Sequence, residues 1–147
     1  MMDYPIEPYI RAGPIRLGMT IVEVRAAVDG DVHPFRKAPT DAWETDAFDS
    51  LGFHVSYKAP GVSETVEFWG ETMPTWEGRP LLRRPFREVH DLLQAADPAL
   101  QVENTGLTSL ALGIAIYVES LVDSETITQD WEQDTEGVLV FERGYYG

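Results

Sequence analysis

Three histidines, His33, His54 and His90, are the only imidazoles in this chain of 147 residues, and no two of them stand four apart as a helical zinc motif requires. Zinc hydrolase chemistry therefore has no ligand set here. Cysteine is absent, which removes thiolate metal centres, disulfides and thiol nucleophiles together. The nucleophile elbow G-x-S-x-G is missing, and so are the glycine-rich loops that cradle phosphates. Asp41, Glu44, Asp46 and Asp49 could supply the paired carboxylates of a glycosidase-type site. With twenty-five acidic residues in the chain, however, neighbouring carboxylates are expected without function, and nothing selects a pair. The acidic run Asp123, Glu125, Asp130, Glu132, Asp134 and Glu136 lacks the central glycine and ligand order of a calcium loop. These exclusions lead us to expect a non-enzyme with no cofactor and no metal centre.

Charge is the stronger signal. Twenty-five Asp and Glu against eleven Lys and Arg give a net charge of −14, a field that repels phosphate backbones and anionic lipid surfaces. We therefore expect neither nucleic acid nor membrane as partner. From Glu88 to Glu142 the sequence holds twelve acidic residues and no Lys or Arg, whereas Arg79, Arg83, Arg84 and Arg87 cluster just before it. A surface of this kind is complementary to the basic cleft of another protein, where charge speeds association and selects the partner. Four tryptophans and six tyrosines add the aromatic anchors that dominate protein interfaces. The candidate partner-binding residues are Trp43, in the polar segment 39–46, with Asp46 beside it; Trp69 and Tyr117, on strands; Asp130, Glu132 and Asp134, in the acidic run; and Tyr145, near the end of the chain.

The elements that would position these residues repeat. Residues 16–28 align with 81–93 at an offset of 65, and 51–57 with 112–118 and 63–66 with 124–127 at an offset of 61. In each half a helix comes first. Thr20 and Glu23 have capping-box spacing ahead of Ile21, Val24 and Val28; Pro85 precedes the stripe Phe86, Val89, Leu92 and Leu93, which Asp97-Pro98 ends. Alternation then marks strands at Phe53–Tyr57 and Ile114–Val118, with further strands expected at 65–69, 126–131 and 138–143. Val66 and Phe68 should face the core, while Thr65, Glu67 and Trp69 share the opposite face with His54, Ser56 and Tyr117. Pro74, Gly78 and Pro80 make 70–80 the connector. The fold class expected is α+β: two tandem repeats, each a short helix followed by an antiparallel β-meander, in one joint sheet with the helices on one face. The first repeat with its N-terminal arm spans 1–78 and the second 79–147.

The Gly18-Met19-Thr20 helix start with Glu23-Val24 in its first turn resembles the SmpA/OmlA (BamE-like) outer-membrane assembly domain over Leu17 to Val28. Doubled in one chain, such a unit looks like the β-lactamase inhibitory protein fold, which implies a concave sheet that grips another protein. The chain has none of the lipobox or disulfide cysteines of those relatives, so their particular activities are not carried over. Tyr4-Pro5, Gly13 to Met19 and Gly144-Tyr145-Tyr146 are also similar to segments of small cytoplasmic proteins associated with bacterial toxin immunity. The N-terminal residues show no basic segment leading into an apolar core, so a cytoplasmic protein is expected. The function expected is a protein-binding, inhibitory module of the immunity type, monomeric or homodimeric, whose partner is a basic toxin or enzyme. The alternative is a structural or regulatory domain that binds a small ligand or itself.

Overall fold

In the computed structural model the described residues are 3–123, 125–126 and 128–146. In chain order the elements are β1 (Asp3–Glu7), β2 (Arg11–Ala12), β3 (Ile15–Arg16), α1 (Ile21–Ala27), β4 (His33–Phe35), β5 (Thr45–Phe48), β6 (Phe53–Lys58), β7 (Val62–Trp69), β8 (Met73–Trp76), β9 (Arg79–Pro80), α2 (Phe86–Gln94), β10 (Gln101–Glu103), β11 (Gly106–Ser109), β12 (Ile114–Tyr117) and β13 (Gly137–Phe141). They form an eight-stranded sheet ordered β10-β11-β12-β13-β7-β6-β5-β4 and a five-stranded sheet ordered β3-β2-β1-β8-β9. The α+β expectation of helices covering one face of a joint sheet is thereby overturned. The protein is mostly β, and α1 and α2 contribute only seven and nine residues.

The physical reason lies in the N-terminal arm and the supposed connector. Tyr4 and Ile6 alternate with exposed Asp3, Pro5 and Glu7, a half-buried strand. That strand pairs in parallel with β8, aligning Asp3 with Met73, Tyr4 with Pro74 and Pro5 with Thr75. The segment expected to link two halves is thus structural. Tyr4 reaches from this second sheet into the larger one, its ring 5.3 Å from both Phe53 and Phe68. Ser63 joins the arm to β7: its Oγ donates to the Arg16 carbonyl at 2.8 Å and accepts from the Gly18 and Met19 amides at 3.0 and 3.2 Å.

The inner face of the large sheet carries Phe53, Val55, Val66, Phe68, Ile114, Ile116, Val138 and Val140, all fully buried. The two helices close the same core with Val24, Phe86, Val89 and Leu93. α1 starts with the capping box that its sequence specifies, Thr20 Oγ1 accepting from the Glu23 amide and Glu23 accepting from the Thr20 amide. In α2 the buried stripe includes His90 beside Phe86, Val89 and Leu93, because Trp131 folds across the helix 4.7 Å from the His90 ring and 5.1 Å from Phe86. The strand expected at 126–131 is not formed by its described residues, which sit in a turn and the isolated bridge of Val122 with Gln129; Ile127, like Ser124, lies outside the described residues.

Candidate functional site

The outer face of the large sheet is polar where β6 and β7 cross it and apolar toward β12 and β13. Cross-strand register places His54 beside Glu67 and Ser56 beside Thr65, and continues through Leu139, opposite Glu67, to Ala115. A bulge at Ser56/Tyr57 breaks the ladder, pairing Tyr57 with Ser63 while Ser56 pairs with Thr65. Glu64 is the extra residue on β7, and the bulge turns its side chain toward the same face as Thr65 and Glu67. Period-two alternation alone would have placed it on the other side.

Two segments fold over this face and convert it into a cavity of about 460 Å³. One is the loop between β4 and β5. Asp41 holds it by accepting from the Ala38 amide at 3.0 Å, and Arg36 bonds the Asp41 carbonyl. Trp43 then lies half-buried against Gly61, where a Cβ would stand 3.2 Å from the indole. The other segment is the chain after β13. Gly144 adopts φ +79°, a conformation that lets the chain reverse and bring Tyr145 and Tyr146 back beside Phe141, with ring centroids 5.8 and 5.0 Å away. The two tyrosines pack on each other at 5.1 Å. With Tyr117 they form an aromatic wall, and Glu64, Glu67, Thr65 and Ser56 line the floor.

Electrostatics follow from this partial enclosure. Burial first, then repulsion from Glu142, raises the Glu64 carboxyl above the usual glutamate value, against an opposing effect of Lys58. Lys58 itself is committed to Glu142 at 2.6 Å. Burial, followed by the neighbouring Tyr146 hydroxyl, pushes the Tyr117 phenol up, and burial does the same to Tyr145. The Ser56 and Thr65 hydroxyls bond each other across the strands. Charged side chains on the cavity are Lys37, Asp41, Glu64 and Glu67, so the acids outnumber the base there. Phenol rings beside carboxylates can stack on a ligand and accept hydrogen bonds from its donors.

The candidate residues from the sequence separate into four places. Trp43, Tyr117 and Tyr145 meet at the cavity. Asp46 is not at an interface: it is 1% exposed, it takes two hydrogen bonds from Arg25 at 2.7 and 3.0 Å, and it accepts from the Tyr57 hydroxyl at 2.8 Å. Those bonds raise the Arg25 guanidinium, while burial and Asp46 push the Tyr57 phenol up. Trp69 shares the outer face by register but packs 4.3 Å from His54 and borders a separate recess with Leu51 and Thr72. Desolvation lowers the His54 imidazole. Asp130, Glu132 and Asp134 lie away from the cavity: Glu132 pairs with Arg87 of α2 at 2.7 Å, Asp134 bridges to Pro85, and Asp130 accepts from the Glu132 amide at 3.1 Å.

Glu64 and Leu139 were not singled out as site residues in the sequence, whereas Tyr146 stands out with Tyr145 in the C-terminal aromatic pair. Leu139 was legible as a strand residue, but the bulge that exposes Glu64 has no sequence signature in this chain. Among the described residues no group of three His, Asp or Glu side chains is gathered closely enough to hold a metal ion, and no helix is long and apolar enough to cross a membrane. No protein-family model, curated protein or solved structure matches this chain.

Proposed function

We propose that the protein is a non-enzymatic binding module that holds a basic partner protein on the outer face of its large sheet, an immunity-type role. The observation that carries this reading is the convergence of Trp43, Tyr117, Tyr145 and Tyr146 with Glu64 and Glu67 around one opening, in a chain of net charge −14. Aromatic side chains supply contact area at low entropic cost, and the carboxylates supply complementarity to a cationic surface. The resemblance of Tyr4-Pro5, 13–19 and 144–146 to toxin-immunity proteins favours a toxin as the partner. The acidic run at 123–136 acts at longer range, raising the encounter rate of a positive partner.

The test is capture of partner proteins from the native lysate by the wild type and by Tyr117→Ala and Glu67→Gln variants across a salt series. A basic protein retained by the wild type, lost on either substitution and weakened by salt is the expected result. Retention by both variants equal to wild type would remove the outer face from the interaction. A second reading rests on the cavity volume, about 460 Å³, which lies in the range of small-molecule sites. A metabolite that raises the melting temperature further at each higher concentration, growing with the logarithm of concentration, with no protein captured, would favour it.

A further inference from the structure

We infer that the cavity between Tyr117, Tyr146, Glu64 and Glu67 is a receptor for a single arginine side chain of the partner protein, its guanidinium stacked on the tyrosine rings and bonded to the two carboxylates. The inference rests on the binding-module reading above and names the chemical group that the surface selects.

Four observations on the outer face lead to it. Glu64 and Glu67 are half-buried, and neither forms an ion pair among the described residues. Partial burial of uncompensated carboxylates is unfavourable unless a cation joins them, so the free site is electrostatically incomplete. The nearby cations do not complete it, since Lys58 is bound to Glu142 and Lys37 reaches the rim without an ion pair among the described residues. The walls are tyrosine rings, whose faces attract cations and whose hydroxyls accept hydrogen bonds. Finally, the same aromatic cluster already holds a guanidinium of this chain: Arg143 lies 4.3 Å above the Tyr9 ring, Tyr9 packs on Phe141, and Phe141 packs on Tyr146.

The chemistry separates arginine from lysine. A guanidinium is planar, stacks on an aromatic face and still presents donors in its plane to two carboxylates at once. An ammonium is a compact, strongly hydrated charge that offers no plane to stack. A cavity with carboxylates on the floor and phenols on the wall rewards the first geometry. Because the carboxylates must be ionised, binding should weaken as pH falls through the raised Glu64 value, above the usual glutamate range.

The experiment titrates the full chain with N-acetyl-Gly-Arg-Gly-amide and its citrulline and lysine counterparts, following amide and tyrosine resonances by NMR. The expected result is saturable shifts at Tyr117, Tyr146 and residues 64–67 with the arginine peptide, and at least about tenfold weaker binding of the uncharged citrulline peptide, the size expected for a charge-assisted hydrogen bond. Glu67→Gln, an isosteric change at a half-exposed position, should weaken the arginine peptide about tenfold, whereas Glu77→Gln, in the exposed turn between β8 and β9, should leave it unchanged. Equal binding of citrulline or lysine would overturn the inference, as would shifts confined to residues 119–136, which mark attraction to the acidic surface alone. If the arginine peptide binds as described but no protein is captured through Tyr117, the receptor stands and the partner-binding function fails. If a partner is captured through Tyr117 while the peptide does not bind, the function stands and the arginine receptor fails.

Discussion

The two faces of the eight-stranded sheet are built from the same strands yet differ in composition and cover. On the inner face Phe53, Val55, Val66 and Phe68 are continuous with Ile114, Ile116, Val138 and Val140, and all of them sit fully buried in one cluster with residues of both helices and of the five-stranded sheet. On the outer face the same strands present Ser56, Thr65 and Glu67, passing into Leu139 and Tyr117, and cover comes from the loop between β4 and β5, from Tyr9 and from the residues after β13. Under the binding function proposed above, one sheet separates stability from recognition. Apolar burial on the inner side sustains the fold, and the outer side is thereby free to keep carboxylates in a partly enclosed place where they cost stability.

Truncation on the inner face should do the most damage. Phe68→Ala removes a fully buried ring in contact with Tyr4 and Phe53, and should cost about 4 kcal/mol, read as a lower midpoint in urea unfolding. Asp46→Ala comes next at about 2 kcal/mol, because Tyr57 loses its buried acceptor while the partly exposed Arg25 returns to water. A cost well below that would show that this inward carboxylate contributes little, and would weaken the contrast between the faces. Tyr117→Ala on the outer face should cost no more than about 1 kcal/mol while abolishing partner capture. A loss as large as that of Phe68→Ala would mean that the outer face is a second core.

The smallest effect sharpens the comparison through pH. Burial raises the Glu64 carboxyl, so the folded state favours its protonated form. Its contribution is fully favourable below the usual glutamate value and is lost as pH rises through the higher folded value. Glu64→Gln should therefore flatten the stability profile in that window, with the variant gaining on the wild type toward neutral pH. Denaturant midpoints measured between pH 4 and pH 7 check this, and an unchanged difference across the range would show that Glu64 is solvated.

Local patterns were legible where the information is local. The Thr20 and Glu23 capping box, the helix stripe of Phe86, Val89 and Leu93, and the alternation that puts Val66 and Phe68 inside and Glu67 outside can each be read from spacings of two to four residues. Tyr117 and Tyr145 were legible as aromatic anchors, but nothing in their spacing shows that they meet. Asp46 reads as a surface acid from its polar neighbours, and only its pairing with Arg25 and Tyr57 places it inside.

By itself, the sequence determined the charge of the molecule, its lack of thiols, the caps of its first helix and the sidedness of its central strands, since each follows from residue type and short-range period. Tertiary structure alone decided that 3–7 and 73–76 pair in parallel, that a bulge redirects Glu64, and that Trp43, Tyr117 and the C-terminal tyrosines enclose one cavity. The parallel pairing and the cavity join residues far apart in the chain, where burial against a common sheet outweighs local propensity, and the bulge is set by the register of two strands rather than by the residue types at 63–65.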